Sequence, residues 1–323
     1  MKVLVTGGAG FIGSHTTRKL VNSGHEVVVF DNLVYGHREF VPPKAVFIEG
    51  DLSDKELLEK VFSENKIDAV MHFAAYAFAG ESVEKPEKYF TNNIVYGLNL
   101  LNVCAKNDVK KFIFSSSCSV YGTPDKLPVS EGEKKDPESP YGETKLIFEK
   151  FLKWYHKIHG LDFISLRYFN AAGADESLEI GEHHEPETHL IPLIFDVALG
   201  KRQNLRIYGT DYGTKDGTCV RDYIHVNDLA DAHIVALENV KGKSSAYNLG
   251  IGRGYSVREI IKVCEEITGK KIAVKESERR EGDPDALYSD SSKVKRELGW
   301  SPKYGIREIV ETAWNWHKKR FAV

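Results

Sequence analysis

The apolar run Val3-Leu4-Val5 breaks directly into Gly7-Gly8-Ala9-Gly10-Phe11-Ile12-Gly13, and this junction restricts the fold more than any other feature of the chain. Gly7 permits a tight turn off a strand, Gly10 lets backbone approach a ligand, and Gly13 lets the following helix pack closely. A helix beginning near Phe11 aims its free N–H groups and positive dipole end outward, which suits a pyrophosphate. About 20 residues past the last glycine, where a dinucleotide fold places its ribose-binding carboxylate, stands Asp31. A carboxylate there accepts from a ribose 2′-hydroxyl and repels a 2′-phosphate, so NAD is expected rather than NADP. Asp51-Leu52 follows the third strand and suits an adenine edge, although Asp51 could equally cap the next helix.

Short β-rich runs at 2–6, 26–30, 46–49, 69–72 and 111–115 alternate with helical periodicity, and a further strand is expected at 163–168. That alternation predicts an α/β fold with a Rossmann-type, doubly wound parallel sheet. Val27-Val28-Val29-Phe30 has the continuous apolar character of a strand buried on both faces. Residues 1–170 are read as the dinucleotide-binding domain. Beyond about 170 the spacing becomes irregular, and residues 171–323 are read as mainly a smaller α/β substrate-binding part. Segments 222–226 and 246–249 are candidates to return as strands to the main sheet. Helices are expected at 89–106, 145–159, 190–199, 227–237, 257–267, 293–298 and 306–318.

A net charge of −3 gives no basic footprint, so nucleic acid and anionic membrane are not expected partners. The four cysteines are scattered without a Cys-x-x-Cys pair, which fits a reducing, cytoplasmic setting. No stretch resembles a signal peptide or a membrane span.

The second informative cluster is Tyr141-Gly142-Glu143-Thr144-Lys145, preceded by Ser115-Ser116-Ser117. Tyr141 and Lys145 lie one helical turn apart, hence on one face. A free phenol titrates near ~10 and is a poor base. A neighbouring ammonium and the positive nicotinamide of oxidised cofactor both favour the phenolate, and Ser117 can bridge Tyr141 to a substrate hydroxyl. Taken alone, Tyr-x-x-x-Lys is a common chance match on a solvated helix. Downstream of a dinucleotide turn, it describes an enzyme moving a hydride and a proton to or from a carbinol.

The run Thr6–His15 (residues 6–15), the serine cluster and 141–145 together resemble the extended short-chain dehydrogenase/reductase superfamily. Phe73-Ala74-Ala75, Ser139-Pro140-Tyr141-Gly142, Leu166-Arg167-Tyr168-Phe169-Asn170-Ala171-Ala172-Gly173-Ala174, Asp216-Gly217-Thr218, Val220-Arg221-Asp222-Tyr223-Ile224-His225-Val226 and Arg279-Arg280-Glu281-Gly282-Asp283 narrow the resemblance to its nucleotide-sugar epimerases. It extends over essentially the whole chain. The resemblance implies reversible epimerisation of UDP-galactose and UDP-glucose at C4 through a 4-keto sugar, with bound NAD taking and returning the hydride. It makes Tyr141 the acid/base, with Ser117 assisting and Lys145 on the nicotinamide ribose. It implies an NAD pocket of Gly7, Gly10, Phe11, Ile12, Gly13, Asp31, Asn32, Asp51, Leu52, Phe73, Ala74, Ala75, Asn92, Ser115, Tyr141, Lys145 and Tyr168. It assigns the UDP-sugar to Ser117, Asn170, His189, Leu190, Tyr208, Arg221, Arg280, Asp283 and Leu287. Independently of it, Arg221 and Arg280 are the fixed donors a diphosphate needs.

Three departures qualify the pattern. Ala77 stands where many epimerases carry Lys, so a looser grip on NAD is expected unless Tyr76 or other groups compensate. His189 replaces a frequent Asn and implies a different hydrogen bond to phosphate. Leu287 stands where members strict for hexoses often carry Tyr, which raises UDP-N-acetylhexosamine as a substrate. Epimerases of UDP-uronates or UDP-pentoses are the nearest alternatives. The dehydratases' Asp-Glu pair after Thr is Ser117-Cys118-Ser119 here, against dehydration. A non-catalytic NAD sensor is disfavoured because Tyr141 and Lys145 both remain. The stretch His183-His184-Glu185-Pro186-Glu187-Thr188-His189 lacks helical ligand spacing, and Pro186 breaks any helix, so a polar lid and no metal are expected. Cys118 has no His placed with it and reads as a small buried residue. Ile94, Leu98, Leu101 and Val103, with Phe148, Phe151, Leu152 and Tyr155, give two helices more than one apolar face. A homodimer is therefore expected, as in relatives of this fold.

Overall fold

A computed structural model describes residues 1–280 and 282–321; Glu281, within one of the quoted motifs, lies outside them. Six strands follow one another with helices between the consecutive members that need a crossover: β1 (Lys2–Thr6), β2 (Glu26–Asp31), β3 (Val46–Glu49), β4 (Ala69–His72), β5 (Lys111–Ser117) and β6 (Asp162–Tyr168). The chain then forms β7 (Asn170–Ala172), β8 (Leu205–Tyr208) and β9 (Val220–His225) before β10 (Ser244–Leu249) returns beside β6. The main sheet is parallel throughout, in the order β10-β6-β5-β4-β1-β2-β3. Chain order reverses between β1 and β4, so a crevice opens at the carboxyl ends of those two strands.

Strand alternation explains the two-sided burial. Val3 and Val5 join one apolar cluster with Val27, Val29 and Met71, while Leu4 joins the opposite one with Val28, Phe30 and Val70. All three β1 residues are fully buried, each worth roughly 1.5–3 kcal/mol. The helices Phe11–Asn22 and Val226–Asn239 cover the first face, and Lys55–Glu64, Gly97–Lys106 and Pro140–His159 the second.

Two expectations need correction. Of the two returning segments, only 244–249 joins the main sheet. The single free edge of β6 is taken by β10, whose inner half is wholly buried. β9 instead centres a second sheet, pairing with β11 (Gly254–Ser256), β13 (Ala286–Leu287) and β7. β8 pairs separately with β12 (Val274–Ser277). The helix expected over 89–106 is not uniform: Pro86–Tyr89 runs into a π-helical stretch, Phe90–Tyr96, before Gly97–Lys106. A wide turn of this kind re-aims side chains, and here Asn93 is carried inward. Among the described residues no helix is long and apolar enough to cross a membrane.

Candidate active site

The carboxyl ends of β1, β2, β4, β5 and β6 share one edge of the sheet, and Gly7, Asp31, Phe73, Ser115, Ser117 and Tyr168 lie along it. Gly7 has φ +73°, and a Cβ there would sit 2.5 Å from the Ala74 amide nitrogen. A Cβ on Gly13 would sit 2.1 Å from the Gly7 carbonyl, so the helix can close on the turn only without a side chain. Gly10 is different: its Cβ would meet only the Gly7 oxygen, at 3.4 Å. Internal packing does not explain that glycine, whereas backbone approach by a pyrophosphate does. Asp31 is buried at the end of β2 and accepts from the amides of Ala9 (2.9 Å) and Leu33 (2.9 Å). Burial raises its pKa, and those two amides hold the rise back. Asp51 does not cap the next helix; Asp54 does, accepting from the Leu57 amide at 2.9 Å. Asp51 instead accepts from Asn32 Nδ2 (2.6 Å) and the Ser53 amide (2.8 Å). Burial opposes its ionisation, and the bonds from Ser53 and Asn32 outweigh it and lower the pKa.

The chemical centre is built from three serines with three separate duties. Ser115 Oγ bonds the Tyr168 hydroxyl, and the Ser115 carbonyl accepts from Lys145 Nζ at 2.8 Å. Ser116, on the opposite face of the strand, donates to Glu149 Oε1 at 2.7 Å. Glu149 in turn holds Arg167 through Nε at 2.8 Å, both side chains being about 5% exposed or less. This buried pair fixes the helix Pro140–His159 against β5 and β6. Ser117 Oγ accepts from the Ser119 amide and donates to the Ser119 hydroxyl, both at 3.1 Å, which caps the turn after β5, and from there its hydroxyl holds the Tyr141 pKa down. The helix starts where Ser139 Oγ accepts from the Gly142 amide (3.1 Å), with Pro140 in its first turn, and ends at Gly160. A Cβ on Gly142 would lie 2.5 Å from the Ser119 carbonyl, so the Tyr141 end of the helix sits directly on the loop after Ser117.

Tyr141 is 8% exposed and Lys145 4%. Burial pushes the Tyr141 phenol up to about 12, and it pushes the Lys145 ammonium down to about 7. The expected shift toward phenolate does not arise from the residues around Tyr141: desolvation dominates, only the Ser117 hydroxyl works against it, and the Lys145 ammonium stands off at 5.7 Å from the ring centroid. Among the described residues Lys145 has one hydrogen-bond partner and no carboxylate. A buried ammonium with two N–H groups to spare fits a ribose diol, and with the Gly10 cradle and Asp31 it fits a dinucleotide. Asn92 donates to Asn93 Oδ1 at 2.9 Å. The buried neighbour Asn93 was missed: it clasps the Tyr76 amide (2.9 Å), the Tyr76 carbonyl (3.0 Å) and Thr144 Oγ1 (3.1 Å). Only its inward turn in the π-helical stretch distinguishes the two asparagines. Near Ala77, a cation comes from Lys88, whose Nζ lies 4.2 Å from the Tyr76 ring centroid. Burial raises the Cys118 thiol to about 12, consistent with an inert residue.

A second wall faces this floor from β9 and β13. Arg221 donates to the carbonyls of Val220 (2.9 Å) and Pro284 (2.8 Å) and to Asp283 Oδ1 (3.3 Å). Asp283 Oδ2 accepts from Arg280 Nε at 3.1 Å, and the Arg280 guanidinium lies 4.7 Å from the Tyr208 ring centroid. One carboxylate thus joins two guanidiniums and leaves a net positive pair. Leu287 is in register with Arg221 and packs with Cys118, Val120, Tyr121 and Phe169, which links this wall to the loop after Ser117. Asn170 Nδ2 donates to the Asp222 carbonyl at 2.8 Å, and Asp222 itself binds the amides of Ile251, Gly252 and Ser289. Leu190 opens the helix Leu190–Ala198. His189 precedes it but does not cap it; Nδ1 sits between Glu182 Oε1 (2.9 Å) and Glu187 Oε1 (3.0 Å). Burial alone would lower the His189 pKa, and the two carboxylates lift it to about 10.

Comparison with known proteins places the chain in a family. Residues 3–250 match the model of the NAD dependent epimerase/dehydratase family. The chain is 48% identical to the UDP-glucose 4-epimerase of Halalkalibacterium halodurans, covering 99% of this chain and 96% of that one. It superposes on UDP-glucose 4-epimerase from Brucella ovis in complex with NAD with a TM-score of 0.94, at 48% identity and 97% coverage of both chains. The enzyme from Bifidobacterium longum in complex with NAD+ and UDP matches with a TM-score of 0.95, at 42% identity, covering 99% and 98% of the two chains.

Proposed function

Since the chain belongs to the NAD dependent epimerase/dehydratase family, we propose that it interconverts UDP-glucose and UDP-galactose at C4, using NAD held throughout the cycle. The observation that carries this reading is the buried group of Ser117, Tyr141 and Lys145 at the carboxyl edge of β5, beside the glycine turn. NAD in that turn supplies an acceptor for the C4 hydride and a donor for its return. Gly10 and the amides opening the helix at Phe11 and Ile12 hold the pyrophosphate; Asp31 and Asn32 hold the adenosine ribose, with Asp51 and Leu52 at the adenine. Lys145 holds the nicotinamide ribose, and Phe73, Ala74, Ala75, Asn92, Ser115 and Tyr168 complete the pocket.

Tyr141 takes the proton of the sugar 4-hydroxyl, with Ser117 bridging phenol and hydroxyl, and gives it back after the 4-keto sugar has turned over. A phenol held at about 12 becomes a useful base only next to positive charge, which would confine proton removal to the oxidised cofactor. Arg221 and Arg280 anchor the diphosphate, with Asp283 orienting both, while Tyr208, Asn170 and Leu190 bound the nucleotide. The test is to give purified protein UDP-galactose without added NAD and to follow UDP-glucose. Product without net NADH supports a self-recycling epimerase; no product even with added NAD refutes the substrate assignment.

One observation favours a second activity. Leu287 stands beside Arg221 on the wall packed against the Ser117 loop, and an aliphatic side chain there leaves more sugar space than an aromatic one. UDP-N-acetylglucosamine is then also a substrate, and Leu287→Tyr suppresses that turnover selectively. No turnover of it by the native protein would sink the idea. The reading extends to a cytoplasmic homodimer. Four free cysteines support the location, and exposed Val95, Trp154 and Ile158 near the paired helices support the second copy.

A further inference from the structure

We propose that Glu182, His184, Glu187 and His189 form a closed site for a divalent metal of the zinc class, pinning the loop over the dinucleotide turn. A helical face is not what joins these residues; the folding of the loop is. One ligand atom from each lies within 4.8 Å of the other three. The nitrogen–oxygen edges are His189 Nδ1 to Glu182 Oε1 at 2.9 Å and to Glu187 Oε1 at 3.0 Å. His184 Nδ1 lies 3.3 Å from Glu187 Oε2 and 3.6 Å from Glu182 Oε1. Ligands placed ~2.0–2.1 Å from a tetrahedral zinc are about 3.3 Å apart. Glu187 offers Oε1 to His189 and Oε2 to His184, so one of its oxygens must shift by a few tenths of an ångström or more to close a four-atom set, within the 4.8 Å that already encloses the four residues.

The state of Glu182 is an independent sign. Its side chain is 7% exposed, and among the described residues its carboxylate accepts from no backbone amide and no hydroxyl. Its partners are the two imidazole nitrogens that would be its fellow ligands. A buried carboxylate is ordinarily met by such donors or by a cation; without a metal the His189 imidazolium at 2.9 Å supplies that cation, and a bound dication would displace its proton and take over the role. Two imidazole nitrogens with two carboxylate oxygens suit a borderline ion, and two formal negative charges balance a dication. Glu187 also accepts from the amides of Thr188 and His189, both at 2.8 Å, which orients its carboxylate toward the cluster.

Four protein ligands leave no open position, so the role is structural. The location gives that role content. The His184 ring meets Phe11, the first residue of the dinucleotide-facing helix, at 6.4 Å between centroids, and Phe78 at 5.9 Å. His183 stacks on His37 at 4.3 Å, and the His37 amide donates to the Ala9 carbonyl within the glycine turn at 2.9 Å. The helix whose first residue is Leu190 follows directly. An ion here would tie the cofactor turn to the start of that helix.

The test uses untagged, full-length holoenzyme stripped with chelator, given Zn2+ alone, dialysed and assayed for metal, with Co2+ loading as the spectroscopic counterpart. We expect one Zn2+ retained per chain, visible d–d bands of four-coordinate Co2+, and a raised Tm with Zn2+. Glu182→Gln/His184→Gln should bind at least about tenfold more weakly and lose the Co2+ bands. Equal retention by that variant overturns the proposal, because the metal then sits elsewhere. Should the variant not fold, competition between native protein and a chromophoric chelator decides, and failure of the native protein to take up Zn2+ also overturns it. None of these readouts depends on turnover.

Discussion

Among the described residues Lys145 is a buried cation held by a single carbonyl, and removing its charge should strengthen the fold while ending catalysis. Burial moves its pKa from 10.5 to about 7. The folded value lies below the unfolded one, so folding expels the proton. The penalty is complete below about pH 7, shrinks as pH rises, and vanishes near 10.5. At pH 7 it amounts to roughly 4 kcal/mol. Lys145→Met relieves that cost but loses the bond to the Ser115 carbonyl, worth about 1–2 kcal/mol once the carbonyl is left unmet. A net gain of roughly 2–3 kcal/mol remains, or about 3–4 °C in Tm for a chain of this size. Thermal unfolding of both proteins, freed of NAD, from pH 6 to pH 10 measures it. The variant should melt higher at pH 6–7, and the difference should close or reverse toward pH 10, where the native protein keeps its hydrogen bond uncharged. The variant should also retain less NAD and turn over little UDP-galactose. A Tm difference independent of pH, or a variant less stable at pH 7, would refute the account of Lys145 as an unpaired buried charge.

Tyr141→Phe removes the proton carrier but little volume, so kcat should fall by ~10²–10⁴ while bound NAD, read by absorbance after denaturation, stays near native. Gly13→Ala forces a Cβ to 2.1 Å from the Gly7 carbonyl and should cost about 1–3 kcal/mol in urea unfolding together with NAD retention. Arg167→Met leaves Glu149 charged and unpaired in the core and should cost about 3–5 kcal/mol, whereas Glu149→Leu/Arg167→Met should recover most of that loss.

How much of this was legible in the sequence depended on whether the signal was local. The glycine turn and Asp31 could be placed because their spacing is fixed inside one βαβ unit, Gly13 closing on Gly7 and Asp31 ending β2, and β1, β2 and β4 because a strand buried on both faces has no polar alternation to confuse it. The fate of 220–225 was not legible. Its composition suits either sheet, and what excludes it from β6 is competition with β10 for one edge, a fact about two distant segments. Asn93 was hidden beside Asn92 because a π-helical stretch changes which of two neighbours points inward, and no pattern of period 3.6 encodes that change. The assembly of Glu182, His184, Glu187 and His189 was invisible to periodicity because an irregular loop carries them.

The two walls of the site differ in what they fix, and the difference follows from how each is built. On the floor, Ser117, Tyr141 and Lys145 sit on elements locked together by Glu149, Arg167, Asn93 and the close approach at Gly142, so the proton path has little freedom. On the facing wall, Arg221 and Leu287 are registered on adjacent parallel strands, so the proposed diphosphate anchor and the apolar side chain beside it are held together. Among the described residues, each wall is tied together by the contacts named here. A sugar that must present both faces of C4 to one fixed reaction axis therefore has to turn itself, about its own bonds to the diphosphate. On the activity proposed above, the room around Leu287 is then where substrate range would be set, and the Leu287→Tyr comparison with UDP-N-acetylglucosamine tests that assignment.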